Sequence, residues 1–311
     1  RHLAAVSVNQ RAMDEFGVGP DLRFTMWDWV GGRYSVWSSM GVALALAIGS
    51  EQFHAFLDGG RAMDDHFAGT PIERNLPVLL GLIGVWNRNF LDIPSHAVLP
   101  YDQRLHRFPA YLQQLEMESN GKRVTRDGNE VDYNTGAVLW GEPGSNAQHS
   151  FFQLLHQGTA EVALDFLAPV QSSSGWQNQQ DLALANCLAQ AQAFMAGQTA
   201  DQVRKELTAA GIDKAQVEAL VPHKVHPGNR PSSVLLFKCL DPATLGKLIA
   251  LYEHKVFVQS VIWDINPFDQ WGVELGKKLA DKLIPAVRDP GAAQAHQHEL
   301  SGLLDYIARW R

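Results

Sequence analysis

"VALDFLAPV" (162–170) is the stretch that decides the fold. It is too short for a typical helix and shows no polar alternation, so it reads as a strand buried on both faces. Strands of that kind belong to parallel sheets covered by helices. Working outward, four more short apolar runs have the same character: "LAAVSV" (3–8), "HAVLPY" (96–101), "GAVLWG" (136–141) and "SVLLFKCL" (233–240). A turn or polar loop follows each. Helical patterns lie between them, at 76–90 with Pro77 in its first turn, 151–157, 180–196, 200–210, 242–262, 271–284 and 299–311. Strands alternating with helices predict an α/β protein whose parallel sheet carries helices on both faces. Sites in such sheets lie at the carboxyl ends of the strands. Residues 171–178 read as a polar loop, and 289–298 as a Pro/Gly/Ala/Gln hinge.

Composition narrows the function. The 311 residues are 46% hydrophobic and 19% charged, as in ordinary globular chains, and the length suits about two domains or one large α/β domain. The net charge of −7 argues against broad nucleic-acid binding but leaves room for a local cationic pocket. Cys187 and Cys239 stand alone, without a CxxC spacing, which fits a reducing cytoplasm. The longest apolar runs, 42–48 and 76–86, are too short to span a membrane, and no secretory signal is visible. The chain opens on Arg1 and reads as the downstream part of a longer polypeptide. GxGxxG after a strand, GxxxxGK[ST], HExxH, EF-hand and GxSxG patterns are all missing, and the histidines lack ligand spacing. Nucleotide, zinc and serine-hydrolase readings therefore lose support.

Four segments carry candidate chemistry. In "MWDWVGGRYSVWSSMG" (26–41), Arg33 follows a Gly-Gly pair that permits close backbone approach, and Trp27, Trp29, Tyr34 and Trp37 are expected around it. A guanidinium held among rings can meet an anion, although most such arginines serve packing. In "LEMESNGKRV" (115–124), Asn120-Gly121 marks a helix stop, because both residues tolerate the left-handed conformation. Leu105, Phe108, Leu112 and Leu115 form that helix's buried face, with Pro109 in its first turn. Gln114 and Glu118, four apart, share another face. Acids are disfavoured at a helix's carboxyl end. The helix end and Glu116 are therefore expected to oppose ionisation of Glu118 and raise its proton affinity. An arbitrary glutamate is more often a solvated surface acid. In "GEPGSNAQHSFFQLLHQGT" (141–159), a helix is expected to begin near Gln148-His149, capped by Ser145 or Asn146. That places His149 in a first helical turn at a strand's carboxyl end. In "NPFDQWGVELGKKLADKL" (266–283), Lys277 is expected about two turns into a helix starting near Asp269-Gln270. By residue type alone it is an ordinary surface lysine.

Taken together, "WDWVGGRYSVWSS", "MESNGK", "GEPGSNAQHSFFQLLHQGT", "GNRPSS" (228–233) and "FDQWGVELGKKLA" occur in order at long separations. The chain resembles the downstream portion of the glucose-6-phosphate isomerases, in their bacterial form, from residue 1 to residue 311. The resemblance implies two sugar-isomerase domains and a helical arm. Residues 1–75 would close the first domain, 76–268 would form the second and 269–311 the arm, in a homodimer. It implies reversible conversion of glucose 6-phosphate to fructose 6-phosphate, with no metal or organic cofactor, no nucleic acid and no membrane. By the same resemblance Glu118 is the base, and Arg33 stabilises the charged intermediate. His149 helps open the sugar ring from the partner subunit, and Lys277 also serves ring opening. Gly32, Gln114 and Gln270 line the pocket. The family's serine/threonine-rich phosphate loop belongs to the upstream half. An inactive fragment or a sugar-phosphate-binding module on the same fold is the alternative.

Overall fold

The computed structural model describes residues 3–289 and 300–310. They fall into two compact units, Arg1–Pro267 and Phe268–Arg311. The first unit is α/β, as its strand pattern requires. Its strands are β1 (Ala5–Ser7), β2 (Arg23–Thr25), β3 (Ser95–Pro100), β4 (Val138–Gly141), β5 (Ala163–Pro169) and β6 (Ser232–Phe237). The main sheet is parallel throughout, in the order β4-β3-β5-β6. Every residue of β5 is buried. That explains its unbroken apolar run, since β3 and β6 flank it and helices cover both faces. The parallel pair of β1 with β2 stands apart from this sheet. Strand β2 was not expected, because its three residues are too few to show a period.

The core forms two layers. One joins Leu105, Phe108, Leu112 and Leu115 to helix Pro242–Ile262 through Leu248, Leu251 and Tyr252. The other packs Ala97, Leu99, Leu164 and Phe166 under helix Gln177–Ala196 through Cys187 and Phe194. Asp165, the one acid of β5, is buried but satisfied. His96 Nε2 lies 3.0 Å away, and the Tyr252 hydroxyl donates to it at 2.9 Å. Burial alone would push this carboxyl up. His96, and behind it Lys255, outweigh that and hold it below the usual carboxylate range.

Helix Phe108–Asn120 forms with Pro109 in its first turn and Phe108, Leu112 and Leu115 buried, whereas Leu105, also buried, belongs to the preceding 3-10 turn Gln103–Leu105 rather than to the helix. Its stop has a different cause from the one expected. Gly121 has φ −74°, not a left-handed value. The position needs glycine because a Cβ would stand 2.3 Å from the Met117 carbonyl oxygen.

In the second unit, a 3-10 turn Trp271–Val273 leads into helix Glu274–Arg288, and Ser301–Ala308 forms a further helix. Apart from Asp289, the expected hinge at 289–298 lies outside the described residues. No helix among the described residues is long and apolar enough to cross a membrane.

Candidate active site

Arg33 sits in a 3-10 turn, Gly32–Trp37, and is 2% exposed. A buried guanidinium must find acceptors around its whole fork. Nε donates to Ser119 Oγ at 2.7 Å, one Nη donates to the Pro267 carbonyl at 2.6 Å, and the other lies 3.2 Å from Glu118 Oε2. Tyr34 lies beside the guanidinium carbon, 5.3 Å from ring centre to carbon, and its hydroxyl is 3.0 Å from the same Ser119 Oγ. Burial raises the Tyr34 phenol above its ordinary pKa, although Ser119 and Arg33 work in the other direction. The ring therefore stays neutral beside the cation.

The expected aromatic enclosure is only partly there. Trp37 turns away to stack on Phe56 at 4.8 Å and donates to Glu253. Trp27 and Trp29 face each other at 6.1 Å and are exposed. A Cβ added to Gly32 would meet nothing within 4 Å, so open space lies over the turn that carries Arg33.

Glu118 is brought to Arg33 by the last turn of helix Phe108–Asn120. Its Oε2 also accepts from Gln114 Nε2 at 2.9 Å, as the i, i+4 spacing predicts. That oxygen is doubly held, whereas Oε1 has no hydrogen-bond partner among the described residues. Glu116 plays no part in this cluster. Its side chain points into the core, 2% exposed, where Lys255 Nζ donates to it at 3.1 Å and Asn120 Nδ2 at 3.3 Å. The expected opposition between two neighbouring carboxylates is therefore absent. Glu118 faces a cation and an amide, while Glu116 has its own counter-ion.

The location also differs from expectation. Helix Phe108–Asn120 leaves the carboxyl end of β3 and runs back along the sheet. It ends beside Gly136, where a Cβ would stand 2.9 Å from the Asn120 carbonyl, two residues before β4 begins. Arg33 and Glu118 thus meet near the amino end of β4. His149 lies past the opposite, carboxyl end of the same strand. It is exposed, in the turn between the short helices Gly144–Ala147 and Phe152–Gln157, rather than in a first helical turn. Neither Ser145 nor Asn146 caps a helix there, because the residues at the two starts are Pro143 and Phe151. Within one chain the structure does not bring His149 to Glu118.

Lys277 and Gln270 belong to the second unit. Lys277 is exposed in the first turn of Glu274–Arg288, which continues the 3-10 turn Trp271–Val273 without a break, so it lies about two turns into a helical run that Gln270 precedes. Ser119 and the Pro267 carbonyl, both on the guanidinium, were not among the residues singled out in the sequence. Nothing linear connects Arg33 to a serine 86 positions away. Among the described residues no group of three or more His, Cys, Asp or Glu is placed to hold a metal.

A buried arginine beside a partly exposed glutamate, on an α/β scaffold, defines a site suited to proton movement next to a developing negative charge. The profile of phosphoglucose isomerase matches residues 1–304, and the chain belongs to that family. It is 54% identical over 310 residues to the glucose-6-phosphate isomerase of Chlorobium luteolum, covering 100% of this chain and 56% of the relative. The same enzyme of Xanthobacter autotrophicus is 54% identical over 307 residues, covering 98% and 56%. The chain thus spans about half the length of the curated relatives it matches. The crystal structure of a glucose-6-phosphate isomerase from Chlamydia trachomatis superposes with a TM-score of 0.78 at 35% identity, over 97% of this chain and 58% of that one. A hypothetical protein from Thermus thermophilus shares the fold, with a TM-score of 0.67 at 24% identity over 91% of this chain and 63% of that one.

Proposed function

We propose that this chain supplies the proton-transfer centre for the reversible isomerisation of glucose 6-phosphate and fructose 6-phosphate. The observation that carries the reading is the Arg33–Glu118 pair, 3.2 Å apart, with Glu118 Oε1 left without a partner among the described residues. In the open-chain sugar, Glu118 Oε1 lifts the hydrogen from C2 and returns it to C1, while the proton of the C2 hydroxyl passes to the oxygen on C1, so the carbonyl moves from C1 to C2. The intermediate enediolate carries negative charge. Arg33 answers it with a guanidinium already fixed by Ser119 and Pro267. Gln114 holds Oε2 and so orients the reacting carboxylate. Gly32 leaves room for the substrate backbone. His149, given by a partner subunit, and Lys277 are assigned to opening the sugar ring, and Gln270 to lining the pocket. Residues 1–75 are assigned to the end of a first sugar-isomerase domain, 76–268 to the second and 269–311 to the arm. The reading needs no metal or organic cofactor.

The test is a coupled assay of fructose 6-phosphate conversion by a polypeptide that extends this chain with the upstream portion of a curated relative. The unmodified version is expected to turn over. Losing an essential proton-transfer group is expected to lower turnover by roughly 10²–10⁴-fold in Glu118→Gln. Near-normal isomerisation by that variant would remove Glu118 from the base role. An inert extended polypeptide that still binds the sugar phosphate would make the fold a binding module.

A further inference from the structure

The strand order β4-β3-β5-β6 reverses direction at β3, because the chain passes from β3 to β4 on one side and then places β5 on the other. A crevice opens at such a switch outside the carboxyl ends of the strands, and open α/β sheets hold their ligands there. The Arg33–Glu118 cluster does not use this place, since it lies toward the amino end of β4. The crevice is nevertheless formed. A cavity of about 430 Å³ sits between the segment after β3, the segment after β4 and the loop after β5. That volume falls in the lower part of the range for small-molecule pockets, roughly 300–1,000 Å³.

Its walls mix polar groups with apolar surface from Pro100, Tyr101, Pro143, Trp176 and Ala183, and they carry no surplus charge. Arg104 lines it, but Arg104 Nε donates to Asp102 Oδ1 at 3.0 Å, so cation and anion cancel. Gln103 in the 3-10 turn Gln103–Leu105, Ser145 in helix Gly144–Ala147, Ser173 in the loop after β5 and Gln179 in helix Gln177–Ala196 line the cavity and make no side-chain hydrogen bond to another described residue. All four are exposed to water. A ligand bearing several hydroxyls can replace that water donor for donor and acceptor for acceptor. Trp176, 65% exposed, adds a flat apolar face to the wall. Amides, hydroxyls and one ring around a neutral space suit a polyhydroxylated ring, polar at its rim and apolar on its C–H face. Arg104, the more exposed of the pair, is already held by Asp102, so an anion would gain no unpaired cation here.

We infer that the crevice at the carboxyl ends of β3 and β5 binds a neutral, monosaccharide-sized carbohydrate at a site separate from the Arg33–Glu118 cluster. This does not rest on the isomerase reading, and its test needs no turnover. D-glucose and inorganic phosphate are titrated separately into the chain by calorimetry, with Ser173→Trp to fill the cavity, Trp176→Ala to remove the ring, and Glu118→Gln as the control. Saturable glucose binding is expected, with a dissociation constant on the order of 1 mM. It should weaken about tenfold in Trp176→Ala, a loss within the range for one aromatic contact. It should vanish in Ser173→Trp and stay unchanged in Glu118→Gln. Absence of saturation overturns the proposal, as does binding that survives both cavity variants. Binding lost in Glu118→Gln would relocate the sugar to the other cluster. Phosphate bound in place of glucose would overturn the ligand class.

Discussion

At the scale of single residues, the site depends on a serine as much as on its charged pair. Ser119 is fully buried, and its hydroxyl meets Arg33 Nε at 2.7 Å and Tyr34 Oη at 3.0 Å. Ser119→Ala removes one anchor of a buried cation and leaves polar groups short of a partner. Such losses cost about 1–3 kcal/mol. Urea unfolding of Ser119→Ala is expected to show a lower midpoint at unchanged slope, and a midpoint equal to that of the parent would deny the hydroxyl its anchoring role. The sequence showed which residue types could do chemistry, because Arg33, Gln114 and Glu118 stand in long motifs or share a helix face. It misled where neighbours in sequence diverge in space. Glu116 and Glu118 are two residues apart, so on a helix they point in different directions. One enters the core to meet Lys255 and the other reaches Arg33. Adjacency suggested mutual repulsion, and helical geometry removes it.

Elements show the same limit from the other side. Helix Pro242–Ile262 was legible to its last residue, since it begins on Asp241-Pro242 and its sequence stays largely apolar throughout. The twenty-residue helix Ser50–Gly69, packed across it, was not. Its Gly59-Gly60 pair has the composition of a turn. The pair is there for contact: a Cβ at Gly59 would stand 2.0 Å from the Ala243 carbonyl oxygen, and one at Gly246 would stand 2.1 Å from that of Phe56. The two helices cross where neither can carry a side chain. Two acids, buried Glu116 and half-buried Glu253, tie helix Pro242–Ile262 to its neighbours and give opposite predictions. Lys255 pairs with Glu116 across to helix Phe108–Asn120. Lys255→Met strands a buried carboxylate, which typically costs about 3–5 kcal/mol, whereas pairing it with Glu116→Leu should recover most of that loss. Urea melts of both variants check this, and a double variant as weak as the single would show that the ion pair itself is needed. Glu253 is different. Burial pushes its carboxyl up to about 7, even though Trp37 and Tyr111 donate to it and pull the other way. The folded state therefore holds a proton that the unfolded chain, with an ordinary carboxyl pKa, releases. Stability from this group is full below about pH 4.5 and falls as pH rises through about 7. The amide that Glu253→Gln introduces cannot ionise, and its oxygen can still accept from both donors. Melting temperatures of Glu253→Gln are expected to match the parent near pH 5 and exceed it by several degrees near pH 8. A parent-like decline in the variant would assign the pH dependence to other groups.

At the scale of the whole molecule, the placement of His149 makes a demand that one chain does not meet. The carboxylate assigned as base lies at the amino end of β4 and the histidine beyond its carboxyl end, so β4 stands between them. If both serve one sugar, two chains must exchange them, and the exchange has an arithmetic consequence. In a two-fold dimer each site takes Glu118 from one subunit and His149 from the other. A hybrid of a Glu118→Gln subunit with a His149→Ala subunit then concentrates both defects in one site and leaves the other intact. Each variant alone is expected to be nearly inert in the extended polypeptide. Equal amounts, unfolded together and refolded, give hybrids in about half of the dimers with one working site of two, hence roughly a quarter of parental turnover. Mixing without subunit exchange should restore nothing, which separates complementation from simple addition of residual activities. Refolded hybrids no more active than the two variants averaged, in a preparation shown by mass to contain the mixed dimer, would place Glu118 and His149 in separate functions and dissolve the shared site.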